Sequence, residues 1–230
     1  MLEKNQILFC GDPHGCFENI VSAVFKYKPK AVILLGDYNL EAPLEQYLQA
    51  IIGLTKIFWI PGNHDFDSIT EYENLYYSAL SYNNLHLKAV EIEGLKIAGL
   101  GGIFLGRNWR PGELPKWQDK QHWLKCKPSN VKKIPLHLEN SIWHHQYEKM
   151  KKEVRADILV THEAPSCHRH GYKAIDELAE EIGAKHVFHG HHHKYYQDEL
   201  SSGISVTGAA IGGIVNLAGE ELIARIKNWS

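Results

Sequence analysis

The amino-acid sequence predicts an α/β fold, and three observations lead to that prediction. In the N-terminal third, short apolar segments alternate with segments whose apolar residues have helical spacing. Residues 31–35 are uniformly apolar, which is typical of a strand covered on both faces, as in a parallel sheet. From residue 85 onward, short strands joined by tight turns indicate a second sheet. We therefore expect one compact domain with two sheets over residues 1–230.

The first third has the order strand, helix, strand, helix, strand. We predict strands at residues 6–10, 31–35 and 56–60. A helix at residues 17–27 carries apolar residues on one side, namely Phe17, Ile20, Val21, Val24 and Phe25. A second helix is predicted at residues 44–52. This order is typical of a parallel α/β layout.

The rest of the chain adds further strands and two helices. Glu93 and Gly94 suit a hairpin turn between two of the strands. The predicted helices cover residues 136–152 and 174–182. The predicted strands cover residues 85–87, 89–92, 95–100, 158–161, 186–189, 195–200, 204–207 and 222–226. No internal repeat or low-complexity linker divides the sequence.

Composition and charge exclude several classes of protein. The chain is 44% hydrophobic and 23% charged, which is typical of a soluble globular protein. Its 25 basic and 27 acidic residues give a net charge of −2, which argues against a globally basic nucleic-acid binder. We expect a cytoplasmic protein without a membrane partner, since the sequence has neither a signal-like start nor an apolar run of ~20 residues. Four cysteines without a Cys-x-x-Cys pair suit reduced thiols.

Histidine is the unusual feature of the composition. The chain has 15 histidines, and eleven of them lie between His137 and His193. Histidine is the commonest metal ligand and a frequent acid–base catalyst, so this surplus predicts a functional site.

Five polar elements follow five predicted strands. They are Gly11-Asp12-Pro13-His14, Gly36-Asp37, Gly62-Asn63-His64-Asp65, Thr161-His162 and Gly190-His191-His192-His193. The carboxyl ends of strands in an open α/β sheet converge on a ligand crevice. A mixture of oxygen and imidazole donors suits Mn, Fe, Zn, Co or Ni better than Ca or Mg. The donors are too many for one tetrahedral zinc, and they suit a pair of metals bridged by a carboxylate.

The motifs Gly-Asp-x-His-Gly, Gly-Asp, Gly-Asn-His-Asp, Thr-His and Gly-His-x-His, in this order, resemble those of the calcineurin-like metallophosphoesterase superfamily. They span residues 11–193, which is most of the chain. The fold that this resemblance implies is a four-layer αββα sandwich, in which helices flank two mixed sheets.

The resemblance also implies a role for each matching residue. The implied ligands are Asp12, His14 and His193 for one metal, Asn63, His162 and His191 for the other, and Asp37 as the bridge. His64 would face the substrate as general acid or transition-state stabiliser, and Asp65 would orient its ring. Of the other histidines in the last motif, His189 and His192 are expected to be structural.

The activity implied by the resemblance is hydrolysis of a phosphomonoester or phosphodiester, by in-line attack of a metal-bridging hydroxide. The substrate would be small and nucleotide-like, and Mn is the expected metal, with Fe, Zn, Ni and Co compatible. A nuclease and a non-catalytic metal-binding scaffold are the alternatives. After Asp37 the chain reads Tyr38-Asn39-Leu40-Glu41, so it lacks the second aspartate of many members and the arginine of protein Ser/Thr phosphatases. Membership of that protein-phosphatase subclass is therefore in doubt.

A basic segment at residues 104–135, called here the insertion, carries three tryptophans. Between Arg107 and Lys133 its charge is +6. It could form a lid over the metals, contact nucleic acid, or pack its tryptophans against the body. Arg107, Arg110 and Arg169 are candidate phosphate contacts, because a guanidinium can bind phosphate through two hydrogen bonds. The residues around Arg169, His168, His170 and Tyr172, either line a phosphate-binding rim or belong to an ordinary solvated loop.

Overall fold

Residues 3–225 are described by the computed structural model, and they form two mixed sheets. The strands are β1 (Ile7–Cys10), β2 (Ala31–Leu34), β3 (Lys56–Trp59), β4 (Lys88–Ile92), β5 (Leu95–Leu100), β6 (Ile158–Thr161), β7 (His186–His189), β8 (Tyr196–Glu199), β9 (Ser205–Gly208), β10 (Ile214–Asn216) and β11 (Glu221–Ile223). The α-helices are α1 (Glu18–Tyr27), α2 (Leu44–Leu48), α3 (Ile69–Tyr76), α4 (Lys120–Lys125), α5 (Leu136–Glu139), α6 (His144–Glu153) and α7 (Lys173–Ile182).

Both sheets are mixed: each has a run of parallel strands, with antiparallel pairing at one edge of the five-stranded sheet and at both edges of the six-stranded sheet. The five-stranded sheet has the order β11-β10-β1-β2-β3, with β1, β2 and β3 parallel. The six-stranded sheet has the order β4-β5-β6-β7-β9-β8, with β5, β6, β7 and β9 parallel. Parallel strands place their carboxyl ends at the same edge of a sheet, which brings the loops after them together.

The side chains that alternate along the central strands build a layered core. Ile7 and Phe9 of β1 face the second sheet, and the Phe9 ring stacks on Phe188 of β7 with 3.6 Å between centroids. Leu8 and Cys10 face outward and pack with α1 and α2. On the other outer side, α6 and α7 cover the six-stranded sheet. The predicted αββα sandwich is therefore confirmed.

The predicted helix over residues 136–152 is interrupted. It becomes α5 and α6, separated by residues 140–143. There the backbone pairs with Ile103: the Ile103 amide donates to the carbonyl of Asn140, and the Ile142 amide donates to Ile103. This extended pairing is incompatible with a continuous helix, although the apolar spacing on both sides is helical.

Other predicted boundaries differ from the structure by small amounts. Helix α2 ends at Leu48 rather than at residue 52, because the chain then turns towards an isolated bridge between Ile52 and Thr55. In place of a strand at residues 85–87, the structure has an isolated bridge between His86 and Gly99. Strands β8 and β9 lie within one residue of their predictions. Strand β11 begins one residue early and ends at Ile223, and position 226 of its prediction lies outside the described residues. The analysis of the sequence missed β10 and helices α3 and α4.

The insertion has its own small apolar cluster. Trp123 of α4 is buried against Leu138 and Trp143, and Trp117 packs at the rim of this cluster. Trp109 is buried separately, in the core that covers the six-stranded sheet. Packing of tryptophans against the body, one of the three interpretations of the insertion, is thus what the structure shows for Trp109 and Trp123.

The single-domain prediction over residues 1–230 stays a prediction, since the description covers residues 3–225. In that part of the chain, every helix is too short or too polar to cross a bilayer.

Candidate metal centre

The polar loops after β1, β2, β3, β6 and β7 meet at one edge of the sandwich. Asp12, Asp37 and His162 are almost completely buried there. His14 is also buried, whereas His191 and His193 are partly exposed. The structure therefore brings the seven residues named as metal ligands into one site, with its deep side formed by carboxylates.

Several of these residues have a left-handed backbone. The φ angles are 42° at His14, 55° at Asp37, 68° at His191 and 56° at His193. Glycines make room beside them: a Cβ on Gly62 would collide with the carboxylate of Asp37. Tight loops of this kind turn consecutive polar side chains towards one point instead of alternating them across a strand.

The first group of donors surrounds the side chain of His14. Its Nε2 lies 3.2 Å from Nε2 of His193 and 4.0 Å from Oδ2 of Asp37. The Nε2 of His193 lies 3.6 Å from Oδ2 of Asp12. The atoms of His14, Asp37 and His193 are close enough to one another to share one cation, and Asp12 adjoins them through His193.

The second group lies on the other side of Asp37. Its Oδ2 is 3.4 Å from Nε2 of His162, which is 3.0 Å from Oδ1 of Asn63. His191 joins Asp37 and His162 in this group, with 4.8 Å between the two imidazole centroids. The same oxygen of Asp37 thus faces both groups, which is the position of a bridging ligand.

The donor set fits two metal ions of the transition series. Both carboxylate oxygens of Asp12 are buried and lack a hydrogen-bond partner in the described chain. An ionised carboxylate in that state is unfavourable unless a cation neutralises it. The Nδ1 atoms of His14 and His162 lie 3.0 Å from Oδ1 of Asn39 and 2.8 Å from the carbonyl of Leu35. Donation from Nδ1 leaves Nε2 with the lone pair that a metal needs.

The pKa values of the buried carboxylate and imidazole groups also indicate that the site requires positive charge. Burial raises the pKa of Asp12 to about 7. Burial alone would lower the pKa of His162, but Asp37 and Asp12 attract the imidazolium and raise it to about 10. In the absence of cations, protons therefore neutralise the cluster, and binding of cations would displace them.

His64 lies beside the ligand cluster with nearly half of its side chain exposed. Its backbone amide donates to Oδ1 of Asp37 at 2.9 Å, so the loop is tied to the bridging carboxylate. Its Nδ1 is 2.6 Å from Oδ2 of Asp67. Burial lowers its pKa, yet the hydrogen bond to Asp67 and the charge of Asp37 outweigh that effect, and the pKa is raised overall.

The expected orientation of His64 by Asp65 is corrected by the structure. Asp65 is buried and accepts hydrogen bonds from the amides of Asp37 (3.0 Å), Tyr38 (2.7 Å) and Gly62 (2.7 Å). The 3₁₀ turn at His64–Phe66 turns this carboxylate inward and leaves the imidazole facing Asp67. Asp65 thus holds two ligand loops together, and Asp67 holds the histidine.

Two further residues of the site were missed by the analysis of the sequence. Asn39, with a φ of 51°, contacts the ring of His14. Glu163 is buried, and its Oε2 lies 4.0 Å from Nε2 of His191. Both residues stand within two positions of a proposed ligand, which is the signal that could have identified them.

The remaining histidines and arginines lie around the centre. His189 is buried with Nε2 2.7 Å from the hydroxyl of Tyr196, which suits its expected structural role. Arg107 and Arg110 are exposed in the insertion, and Arg110 is close enough to Tyr172 to influence the pKa of its hydroxyl. Arg169 lines an open cavity beside His192.

The fold and donor set define a metal-dependent phosphoester hydrolase. A family model described as calcineurin-like phosphoesterase matches residues 6–195, and the chain belongs to that family. It is 35% identical over 225 residues to an uncharacterized protein of Haemophilus influenzae, covering 96% of this chain and 98% of that one.

Solved structures share the fold at low sequence identity. TT1561 of Thermus thermophilus superposes with a TM-score of 0.57 at 15% identity, covering 95% of this chain and 97% of that chain. A dimetal phosphatase from Danio rerio gives a TM-score of 0.51 at 11% identity, covering 94% and 93%. A 5'-nucleotidase from Candida albicans gives 0.52 at 13% identity, covering 93% of this chain and 48% of that chain.

Proposed function

We propose that the protein hydrolyses a small, nucleotide-like phosphomonoester or phosphodiester with two metal ions, of which Mn is the first candidate. The observation that carries the proposal is the buried Asp12, whose two oxygens lack a partner and face imidazole donors. A site with this arrangement is built around cations. Two bound cations would supply Lewis acidity and lower the pKa of a water, so that a nucleophile is available near neutral pH.

The seven proposed ligands would be divided between the two ions. Asp12, His14 and His193 would hold one ion, Asn63, His162 and His191 the other, and Asp37 both. The contacts of His14 with Asn39 and of His162 with Leu35 keep each ring in one tautomer, as a ligand requires.

His64 would act on the substrate. Its Nδ1 is engaged by Asp67, which leaves Nε2 to donate a hydrogen bond or a proton to the leaving oxygen. Its exposed position beside the ligands suits contact with an ester that enters from solvent. Arg107, Arg110 and Arg169 are proposed to attract and bind the phosphate.

A small substrate is favoured over nucleic acid by the insertion. Stacking on bases needs exposed aromatic faces, and Trp109 and Trp123 are buried. Lysine ammonium groups lie over the ring of the third tryptophan, with Lys127 Nζ 5.1 Å from the Trp117 centroid.

We place the protein in the cytoplasm, which suits its four free cysteines.

The proposal is tested by hydrolysis of p-nitrophenyl phosphate and bis-p-nitrophenyl phosphate. Metal-free protein is reloaded separately with Mn, Ni, Zn or Mg, and the bound metal is quantified. Turnover should require metal, and His64→Asn should lower it by about 10²–10³-fold because a transition-state contact is lost. Metal content should stay at the wild-type level in that variant.

The same experiment separates an enzyme from a scaffold. Wild-type protein that holds two ions and hydrolyses neither ester with any metal would contradict the proposal and favour a non-catalytic role. Equal turnover in wild type and His64→Asn would remove His64 from the mechanism. The ratio of monoester to diester turnover then assigns the bond that is cleaved.

A further inference from the structure

An open cavity of about 610 Å³ lies next to the metal centre. Its lining residues come from the loop after β6, from the last metal-binding loop and from β8, and they include His168, Arg169, His192, Lys194, Tyr196 and Asp198. Its volume falls in the range that is typical of small-molecule sites, ≈ 300–1,000 Å³. The metal ligands are not among these residues, so the cavity is a separate space.

The cavity is nevertheless contiguous with the metal centre. His192 lines it and stands in the chain between the proposed ligands His191 and His193. The centroids of the His191 and His192 rings are 4.8 Å apart, and the ring of His168 stacks on His192 at 3.9 Å. His192 thus lies between the lining of the cavity and the proposed metal ligands.

The charge of the cavity is positive. Arg169 and Lys194 are exposed, and neither has a carboxylate partner within 4.0 Å in the described chain. Asp198 is the one carboxylate among the lining residues. Burial lowers the pKa of His168, and the nearby charges of Arg169 and Lys194 lower it further, so both cations lie close to this ring. A guanidinium and an ammonium that are not neutralised by an ion pair attract an anion such as phosphate.

The far wall of the cavity is fixed. The hydroxyl of Tyr196 is hydrogen-bonded to Nε2 of the buried His189 at 2.7 Å. The His168 ring lies nearly parallel to the Tyr196 ring, with centroids 5.7 Å apart. These contacts within the chain hold the wall in place.

We propose that this cavity binds a second phosphoryl group of the substrate. The inference rests on the proposed function and narrows its substrate class to nucleotide-like esters that carry two separate phosphoryl groups. One group is cleaved at the metals, and the other is held by Arg169 and Lys194. The metals confer the reaction, and the cavity confers the preference among esters.

The kinetic test compares two probes that differ by one phosphoryl group, adenosine 5′-monophosphate and adenosine 3′,5′-bisphosphate. Metal-loaded wild type should have a kcat/KM for the bisphosphate about tenfold higher, the effect of one charge-assisted hydrogen bond. The double variant Arg169→Ala/Lys194→Ala should lose this preference, mainly through a higher KM for the bisphosphate. Lys30→Ala/Lys185→Ala removes two exposed cations outside the cavity and should leave the preference unchanged.

A binding test without catalysis separates this inference from the proposed function. Inorganic phosphate is titrated into metal-free protein, in which the metal centre cannot bind it through cations. Wild type should bind phosphate, and the Arg169→Ala/Lys194→Ala variant should bind it at least about fivefold more weakly. Equal binding by the two proteins, or equal kcat/KM of wild type for the two nucleotides, overturns the second-phosphate site. Absence of ester turnover with normal phosphate binding instead overturns only the proposed hydrolysis.

Discussion

The metal-binding edge and the basic insertion hold their charged residues in opposite ways. At the edge, Asp12 and His162 are fully buried, and the loops around them are turned to bring them together. In the insertion, four of the six lysines are exposed, and Trp123 supplies the buried surface. The insertion has the larger net charge, yet the edge has the groups that demand a ligand. Burial of charge without a partner is therefore the better indicator of chemistry than the number of charges.

The largest expected effect comes from removing the buried tryptophan of the insertion, which tests whether the insertion and the metal-binding edge are independent. Trp123→Ala should lower the free energy of unfolding of the insertion by about 3–5 kcal/mol, because a buried indole is lost. Native-state hydrogen exchange of residues 104–135 measures this change. Metal content should be unaffected, since the cluster around Trp123 contains none of the proposed ligands.

Trp117→Ala is the matched control, because Trp117 lies at the rim of the same cluster and is partly exposed. It should destabilise the insertion less than Trp123→Ala. Loss of metal in the Trp123→Ala protein would show that the insertion and the edge form one unit, and the comparison would fail.

The second test concerns Asp65, which holds the edge together without facing the substrate. Asp65→Asn replaces one carboxylate oxygen by an NH₂ group that faces amide donors, so either the amide of Tyr38 or those of Asp37 and Gly62 lose their acceptor. Metal affinity should fall by about 10–100-fold, the effect of removing a residue that positions ligands. Competition with a chromogenic chelator measures the affinity.

Asp67→Asn is the control two positions away. Its carboxylate is exposed and contacts His64 rather than a ligand loop, so metal affinity should remain at the wild-type value while turnover declines. Equal metal affinities of Asp65→Asn and wild type would refute the role assigned to Asp65.

The smallest expected effect is a pH dependence of the free energy of unfolding, which arises where the insertion meets the body of the protein. His86 lines a cavity of about 160 Å³ together with Lys120 of the insertion. Burial, and then the charge of Lys120, lower the pKa of His86 to about 4. The unfolded chain binds a proton below about pH 6.5. The folded protein does not until about pH 4, so this contribution to stability is present above pH 6.5 and is lost as pH falls through that window.

Urea unfolding between pH 7 and pH 5 checks this contribution. His86→Gln should reduce the loss of stability on acidification by about 1–2 kcal/mol, and Lys120→Met should reduce it by less. Identical pH slopes in wild type and His86→Gln would show that His86 is not neutral in the folded protein. The insertion would then have no electrostatic coupling to the body at this cavity.

The predictable part of the fold was the part with strong local patterns. Strand β2 is uniformly apolar, and α1 has a clear apolar face, so both were predicted almost to the residue. Strand β10 was missed because it has three residues directly after Gly212 and Gly213, too few for a pattern. The break between α5 and α6 depends on Ile103, which is distant in sequence and leaves no local signal.

Residues of the site could be predicted from the sequence where they belong to a motif. They could not be predicted where only the three-dimensional course of the chain decides which of two nearby residues makes a contact. The spacing of Asp12 and His14 after a strand indicated a metal centre, and the structure places His14 in a group of possible ligands with Asp12 beside it. Asp65 and Asp67 flank the same turn, and only the three-dimensional course of that turn decides which one meets the imidazole. The contact of Asn39 with His14 likewise depends on a positive φ that no motif encodes.

The left-handed backbone at His14, Asp37, His191 and His193 has a consequence for ion selection. Each such residue costs on the order of 1 kcal/mol, and packing between the two sheets offsets that cost. Ligands that are held by packing lose little conformational entropy on binding. They also adapt little to ionic radius, so the centre should discriminate between ions by coordination geometry rather than accept any divalent cation of sufficient charge.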